Sequence, residues 1–259
     1  MARADDVARI RDALRTAAEA IRPFTPGQVD FETKGERDDP LTEADLAADR
    51  VLKEMLPQEG EGWLSEESAD DLIRLECDRV WVVDPIDGTR EFVEGIPEWC
   101  ISIGLLEGGV PVAGGIFNPV TDQMVVGSLE TGVELNGVPA TVRDPGPDRS
   151  MTVLASRSEI RRGEWDRFER DGFSVQPCGS VAYKMGLVAA GLTDATWTLV
   201  PKSEWDVAAG AALVRAAGGE VTLANGESPV FNKERPKFPH FVAAGARTRA
   251  WLVAECLND

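Results

Sequence analysis

One segment in the first half of the chain, residues 81–92, constrains the fold more than any other. Its sequence is Trp-Val-Val-Asp-Pro-Ile-Asp-Gly-Thr-Arg-Glu-Phe, so an apolar, β-prone run ends in two carboxylates, Asp84 and Asp87, with Pro-Ile between them. The Gly-Thr pair that follows is typical of a helix start. The pattern predicts a strand end that brings both carboxylates to one point beside a helix N-terminus. Paired oxygen ligands beside free backbone N–H groups suit a divalent cation and a phosphate group, whereas the alternative is an ordinary turn capped by Thr89.

The bulk composition is that of a globular protein. With 259 residues, 43% of them hydrophobic and 28% charged, the chain can form one large domain or two closely packed halves. It has no apolar run long enough to span a bilayer and lacks the apolar core of a signal peptide, so we expect a cytoplasmic protein with no membrane partner. The formal net charge of −18 argues against a nucleic-acid partner. An enzyme with this charge that acts on anions needs a metal and a few placed cations to reverse the local sign.

The cysteines and the single histidine narrow the chemistry further. The four cysteines, at positions 77, 100, 178 and 256, are widely spaced and predict neither a zinc site nor disulfides. His240 is the only histidine, so histidine-based metal sites are nearly excluded and a Ser-His-Asp triad would depend on that residue alone. The chemistry is therefore expected from carboxylates, hydroxyls and a metal.

Hydrophobic periodicity predicts an α+β first half and an α/β second half. We place the boundary within the Pro- and Gly-rich linker 143–149, which gives an N-terminal half over 1–145, carrying the paired carboxylates, and a C-terminal half over 146–259. The predicted helices span 5–22, 43–56, 163–171, 180–190, 205–217 and a last segment ending at 257, with one helical turn after Thr89. The predicted strands span 63–67, 80–83, 100–106, 112–118, 123–127, 152–155, 195–198, 220–223 and 241–244, and residues 34–40 form a loop.

Carboxylates outside the first segment occupy similar positions. Glu66 lies in Ser-Glu-Glu-Ser just beyond an apolar stretch, Asp45 lies in the first turn of a predicted helix, and Asp206 opens an Ala-rich helix. Magnesium takes oxygen ligands and usually keeps several waters, so three or four carboxylates from distant segments suffice to bind it. Taken singly, Asp45 and Asp206 could simply stabilise helix dipoles, and Glu66 with Glu67 could form a solvated acidic patch.

Four segments, in order along nearly the whole chain, resemble the inositol monophosphatase superfamily of magnesium-dependent, lithium-sensitive phosphatases. Residues 84–89 resemble the first signature of that family, and residues 205–210 with 217–219 resemble the second. Residues 66–68 are similar to its metal-ligand loop, and Lys34 with residues 42–45 is similar to an upstream segment. The resemblance implies a layered α-β-α-β-α sandwich, within the α+β / α/β class predicted above.

The resemblance also implies a role for each matching residue. One magnesium ion would be bound by Glu66, Asp84 and the carbonyl of Ile86, and a second by Asp84, Asp87 and Asp206. A third, weaker ion would share Glu66 through waters. Thr89 and Asp45 would orient the attacking water, the N–H groups of Gly88 and Thr89 would hold the phosphate, and Lys34 and Glu67 would support the site. Hydrolysis of a small phosphorylated substrate, inhibition by lithium and a homodimer are implied in the same way.

The residues around the second signature bear on the substrate. Inositol phosphatases of the family typically carry a Glu seven residues before the second-signature Asp, where this chain has Leu199, which cannot accept a hydrogen bond from a hydroxyl. Residues 87–92 and 155–158 instead resemble the 3′(2′),5′-bisphosphate nucleotidases of the CysQ type, although Glu159 replaces a His of that pattern.

Three cations would suit a substrate with a second phosphate. Arg157 could bind it bidentately, and Lys184 and Lys202 could act as point charges. Each of the three could equally be an ordinary surface cation.

We therefore predict a hydrolase, a Mg²⁺-dependent phosphomonoesterase in which a metal-activated water attacks the phosphate. The preferred activity is that of a 3′(2′),5′-bisphosphate nucleotidase, which converts 3′-phosphoadenosine 5′-phosphate to AMP and phosphate. The alternative is an inositol-1-monophosphatase or a broad sugar-phosphate phosphatase. A metal-binding regulatory protein is the alternative of another class, and the intact ligand positions argue against it.

Overall fold

Two β-sheets, one built from each half of the chain, organise the fold. The computed structural model describes residues 3–34, 39–147, 150–168 and 173–257. Within these ranges the helices are α1 (Arg3–Ile21), α2 (Glu43–Met55), α3 (Thr89–Glu94), α4 (Arg157–Arg161), α5 (Val181–Ala189), α6 (Glu204–Ala216) and α7 (Ala246–Glu255), with short 3₁₀ segments at Ile73–Glu76 and Asp166–Phe168.

The strands follow the same numbering along the chain. In the first half they are β1 (Glu32–Lys34), β2 (Asp39–Leu41), β3 (Gly62–Ser65), β4 (Arg79–Asp87), β5 (Cys100–Glu107), β6 (Val110–Asn118), β7 (Gln123–Ser128), β8 (Gly132–Leu135) and β9 (Val138–Ala140). In the second half they are β10 (Met151–Ser156), β11 (Phe173–Cys178), β12 (Ala195–Trp197), β13 (Lys202–Ser203), β14 (Gly219–Leu223), β15 (Lys237–Phe238) and β16 (Phe241–Gly245).

The larger sheet has seven strands in sequence order, from β3 to β9, and is antiparallel except for the parallel pair β3–β4. The smaller sheet has the order β11-β10-β12-β16-β14, in which β10, β11 and β12 run parallel and β16 runs against both of its neighbours. Two short ladders, β1–β2 and β13–β15, lie apart from these sheets.

Helices cover both faces of each sheet. Leu14 of α1 and Leu52 of α2 share a buried cluster with Trp81 and Val83 of β4. Val80 and Val82, which point to the opposite face of the same strand, belong to a second cluster with α5 and α6. Because both faces of β4 are buried, its sequence is a continuous apolar run rather than an alternating one.

The helices α5 and α6 lie between the two sheets, since their side chains join the cluster that also contains Phe241 and Ala243 of β16. A third cluster, with Leu252 of α7, Trp165 and Trp197, covers the outer face of the smaller sheet. The layers are therefore helix, sheet, helix, sheet, helix. This confirms the α-β-α-β-α sandwich that the resemblance implies.

Most of the predicted elements are present. The helices expected over 5–22, 43–56, 180–190 and 205–217 correspond to α1, α2, α5 and α6, and the last helix corresponds to α7. The strand predicted over 80–83 continues to Asp87. Residues 143–147 of the predicted linker have no regular structure and 148–149 lie outside the described residues. Residues 35–38 of the predicted loop also lie outside them, but the loop prediction is wrong at its described ends, because Lys34 belongs to β1 and residues 39–40 to β2, which pair with each other. The boundary between residues 145 and 146 stays a prediction.

The helix predicted over 163–171 is wrong for the residues that the structure describes, and 169–171 lie outside them. Gly163 has a φ of 74°, which ends the preceding turn. The indole N–H of Trp165 donates to the carboxylate of Glu159 at 2.8 Å, so the chain is held in a tight turn followed by the 3₁₀ segment. The structure also contains α4, β8, β9 and β11, which the periodicity did not predict because they are short or, in β11, largely exposed.

No helix in the described ranges combines the length and the apolar composition that a membrane span requires.

The approach of α6 to the larger sheet depends on two paired glycines, Gly104 of β5 and Gly114 of β6. A Cβ atom at Gly114 would lie 2.6 Å from the carbonyl oxygen of Ala209, and one at Gly104 would lie 2.9 Å from the Cβ of Ala208. The missing side chains let the helix backbone contact the sheet directly. This contact sets the position of the first turn of α6, which carries Asp206.

We expect Gly114→Ala to lower the free energy of unfolding by about 1–3 kcal/mol, because the added methyl group meets helix backbone that cannot rotate away. Chemical denaturation measures the change. Val138→Ala, at an exposed position near the far edge of the same sheet, is the control and should shift stability by no more than about 0.5 kcal/mol. An equal effect of the two substitutions would contradict the close helix–sheet contact.

Candidate metal centre and active-site cleft

A bulge in β4 aims two carboxylates at one point. Asp84 pairs with Ser102 of β5 and Asp87 pairs with Cys100, so three steps along β4 oppose two along β5. The extra residue turns the end of the strand. As a result, one carboxylate oxygen from each of Asp84, Asp87 and Asp206 lies within 4.8 Å of the other two.

Several of the site carboxylates also cap helices. At the start of α6, one oxygen of Asp206 accepts the backbone N–H of Ser203 at 2.9 Å. At the start of α2, one oxygen of Asp45 accepts the N–H of Thr42 at 2.8 Å. Asp45 and Asp206 can therefore stabilise a helix start and also belong to the site, as the two alternatives from the sequence required, because each carboxylate has a second oxygen.

Asp87 joins the strand end to α5 in a similar way. Its Oδ2 atom accepts the hydroxyl of Ser180 at 2.8 Å and the N–H of Ala182 at 2.5 Å. The first turn of α5 thereby holds one oxygen of Asp87 in place and leaves the other for the cluster. Ser180 was not predicted from the sequence, and its signal is its N-cap position before a helix.

Asp84 is the residue that best tests whether a metal fits. Its side chain is 1% exposed, and its Oδ1 atom has no hydrogen-bond partner among the described residues. Burial raises the pKa of Asp84 well above its ordinary value, and the neighbouring carboxylates of Glu66, Asp87 and Asp206 raise it further. A buried, unpartnered carboxylate oxygen beside other carboxylates is strongly unfavourable unless a cation compensates it. The all-oxygen donor set fits a hard divalent cation.

The other cluster members show the same electrostatic effect. Burial, together with the charge of Asp87, raises the pKa of Asp206 from 3.8 to about 8. Burial also raises the pKa of Asp87 and of Glu66. Without a cation, the site therefore binds protons at a pH where isolated carboxylates are ionised.

Thr89 lies between two acceptors. Its Oγ1 atom is 3.0 Å from the carbonyl oxygen of Ile86 and 3.1 Å from Oδ1 of Asp45. A hydroxyl has a single proton, so donation to Asp45 leaves the carbonyl oxygen of Ile86 free to bind another group. A lone pair of Thr89 can then accept a hydrogen bond. Gly88, which precedes α3, has a φ of 99°, a conformation that needs glycine.

Glu66 and Glu67 reach the site on the loop after β3. Lys34 pairs with Glu66 at 2.9 Å and donates a further hydrogen bond to Glu67. Burial raises the pKa of Glu67 to about 7. The structure therefore places Lys34 beside both acidic side chains.

Asp49 holds the same loop and was not predicted from the sequence. Its two carboxylate oxygens accept the hydroxyls of Ser65 at 2.5 Å and Ser68 at 2.6 Å, on either side of Glu66 and Glu67. Asp49 lies one helical turn after Asp45 on α2, and this spacing is the signal that could have revealed it.

The three cations predicted to bind substrate lie in different surroundings. The guanidinium of Arg157 is bound bidentately by Glu98, with both distances 2.5 Å, and Glu98 also accepts the N–H of Gly179. Lys184 is 2% exposed, and its ammonium donates to the carbonyls of residues 178, 179 and 180. Lys202 is half-buried and lines the cleft in front of the carboxylate cluster.

This cleft has a volume of about 670 Å³. Its lining includes the carboxylates with Gly88 and Thr89, and also Ser156, Ser158, Lys202, Trp205 and Lys237. Leu199 instead packs against the apolar cluster on the outer face of the smaller sheet. Glu159, at the position where the nucleotidase pattern has a His, accepts the indole of Trp165 and the N–H of Leu199.

Comparison with known proteins agrees with this geometry. A sequence model of the inositol monophosphatase family matches residues 4–255. The chain belongs to the inositol monophosphatase family. Members of this family are metal-dependent phosphoric monoester hydrolases, and the cluster of three aspartates fits that metal dependence.

Three similar proteins illustrate the match. An inositol monophosphatase from Mesembryanthemum crystallinum is 30% identical over 233 residues, which cover 84% of each chain. The structure of an IMPase from Thermotoga maritima superposes with a TM-score of 0.81 at 26% identity, covering 94% of this chain and 93% of that one. The structure of CysQ from Bacteroides thetaiotaomicron superposes with a TM-score of 0.77 at 29% identity, covering 94% and 98%.

The carboxylate cluster predicts an unusual pH dependence of stability. A carboxylate whose pKa is higher in the folded than in the unfolded state stabilises the fold below its unfolded value, and this contribution is lost as the pH rises through the folded value. For Asp206 that range runs from 3.8 to about 8. We expect the metal-free protein to lose at least about 1.4 kcal/mol between pH 5.5 and 8, the equivalent of one pKa unit.

Urea unfolding in EDTA at each pH measures this loss, and a divalent cation should reverse it. Asp206→Asn should flatten the pH dependence, because the amide has no charge to desolvate. Asp12→Asn, an exposed change of the same kind on α1, is the control and should leave the dependence intact. Stability that is constant or rises over this range in EDTA would contradict the assignment.

Proposed function

We propose that the protein is a Mg²⁺-dependent phosphomonoesterase, and that its preferred substrate is a 3′(2′),5′-bisphosphate nucleotide such as 3′-phosphoadenosine 5′-phosphate. The observation that carries the metal dependence is the buried, unpartnered Oδ1 of Asp84 inside the cluster with Asp87 and Asp206. Two to three ions would be held by Asp84, Asp87, Asp206, Glu66 and the carbonyl of Ile86. When bound, magnesium lowers the pKa of water and neutralises negative charge on the phosphate.

The protein's own groups supply orientation. The hydroxyl of Thr89 donates a hydrogen bond to Asp45, so a lone pair of Thr89 is free to accept a hydrogen bond from the attacking water and orient it toward the phosphate. The N–H groups of Gly88 and Thr89, at the start of α3, donate to phosphate oxygens on which negative charge builds up. Lys34 and Asp49 keep the Glu66 loop against the site.

The preference for a bisphosphate is supported by two lysines in the lining of the cleft. Lys202 and Lys237, on the paired strands β13 and β15, add positive charge there in a protein with a net charge of −18. Leu199, packed in an apolar cluster, offers no acceptor for the hydroxyls of inositol.

An inositol-1-phosphate or sugar-phosphate phosphatase is the second candidate, because sequence relatives carry the name inositol monophosphatase. A purely regulatory metal-binding protein is the third, and it would release no phosphate. Lithium inhibition, homodimer formation and a cytoplasmic location stay predictions.

A phosphate-release panel separates these functions. It compares 3′-phosphoadenosine 5′-phosphate, inositol 1-phosphate and fructose 1,6-bisphosphate, with Mg²⁺ and with EDTA. We expect Mg²⁺-dependent release with at least about a ten-fold preference for the bisphosphate nucleotide, or about 1.4 kcal/mol in transition-state binding. A preference for inositol 1-phosphate would favour the second candidate, and no release from any substrate would contradict the proposal as a whole.

Asp87→Asn tests the role of the cluster in the same assay. The remaining amide oxygen can still accept from Ala182, so the fold should survive, while the charge that holds the metal is lost. We expect a drop in Mg²⁺-dependent turnover on the order of 10²–10³-fold. Asp12→Asn is the matched control and should retain activity. Turnover by Asp87→Asn at saturating Mg²⁺ that equals that of the unmodified protein would contradict the role of the cluster.

A further inference from the structure

A second recess, of about 650 Å³, adjoins the cleft in front of the carboxylate cluster. The two spaces share Asp39, Arg90, Ser156, Ser158 and Lys202 in their lining, so they are continuous. A small molecule whose reacting phosphate lies at the carboxylates could therefore extend into the recess.

The recess concentrates positive charge. Its lining includes the four cations Arg90, Arg161, Arg162 and Lys202, and a single acidic residue, Asp39. The ion pair between Arg90 and Asp39 is long, at 3.7 Å. The chain as a whole has 45 acidic and 27 basic residues, so a surface with four cations to one anion is a strong local reversal of the net charge.

Arg161, the last residue of α4, and Arg162, which follows it, are exposed and line the recess. Arg161 forms no ion pair with any described residue. Arg162 gives two of its N–H groups to Glu164, which lies outside the recess lining, in an exposed pair that a phosphate could readily replace. Guanidinium groups bind phosphate through paired, charge-assisted hydrogen bonds.

Two of the three cations predicted from the sequence cannot fill this role without giving up protein contacts. Arg157 is held by Glu98, and the ammonium of Lys184 is saturated by three carbonyls. Glu159, which replaces the expected His, is buried and bonded to Trp165. The recess therefore offers a second anionic group of the substrate two cations, Arg161 and Lys202, that form no ion pair with the described residues.

We propose that this recess is the subsite for the second, non-reacting phosphate of the substrate, with Arg161 and Lys202 as the residues that determine specificity. The inference rests on the proposed phosphomonoesterase function and names where its substrate class is recognised. Binding energy from the second phosphate would then favour bisphosphates over the matching monophosphates at the same catalytic centre.

Two substrates with the same reacting group test the subsite. 3′-Phosphoadenosine 5′-phosphate and adenosine 3′-phosphate differ only in the 5′-phosphate, so the ratio of their kcat/KM values measures what that phosphate contributes. We expect Arg161→Gln to lower this ratio by about 10-fold or more, as for the loss of a hydrogen bond between charged groups. Arg22→Gln, an equal change in net charge at an exposed position of the chain, should leave the ratio unchanged.

Inhibition by adenosine 5′-phosphate, which lacks the reacting phosphate, provides a second readout, and its inhibition constant should rise in Arg161→Gln. A ratio that stays the same in Arg161→Gln, or that falls equally in Arg22→Gln, would overturn the subsite while leaving the phosphatase function in place. Failure of the function itself would show differently, as the absence of phosphate release from both substrates by the unmodified protein.

Discussion

The main physical constraint on the structure is the mutual repulsion between carboxylates that the fold brings together. Asp84, Asp87 and Asp206 come from two different segments, and the fold brings one oxygen from each within 4.8 Å of the others, with Asp84 and Asp87 buried. Such a cluster opposes folding unless protons or a cation neutralise it. Hydrophobic burial on both faces of β4 and the direct contact of α6 with Gly104 and Gly114 hold it in place. The unneutralised repulsion between these carboxylates is what favours the binding of a metal cation at the site.

Two of these carboxylates, together with Asp45, also accept hydrogen bonds from backbone N–H groups at helix starts, which have no partner within the helix. Asp45, Asp87 and Asp206 each give one oxygen to the first turn of a helix, so α2, α5 and α6 orient the carboxylates as rigid elements. A site built from helix caps needs no long flexible side chains. It also explains why three helix N-termini converge on one cleft, where their dipoles offset part of the negative charge.

Residues whose roles depend on contiguous sequence could be predicted, and those that depend on distant contacts could not. The order of Asp84, Pro85 and Asp87 predicts a strand end with two carboxylates, and the structure adds only the bulge that aims them. By contrast, Arg157 reads as a free cation until Glu98, 59 positions away, is seen to bind it. Lys184 is similar, because only the fold surrounds its ammonium with carbonyls. The helix predicted over 163–171 failed for the same reason, since the bond from Trp165 to Glu159 overrides local helical propensity.

We expect the cluster around Asp84 to bind the catalytic metal. The most direct test is anomalous X-ray scattering from crystals of the protein grown with Mn²⁺, which prefers the same oxygen ligands as Mg²⁺ and scatters anomalously. We predict a strong peak at bonding distance from Oδ1 of Asp84 and in contact with Asp87. A protein that hydrolyses phosphate with Mn²⁺ but shows its Mn²⁺ peaks only away from Asp84 would contradict this prediction.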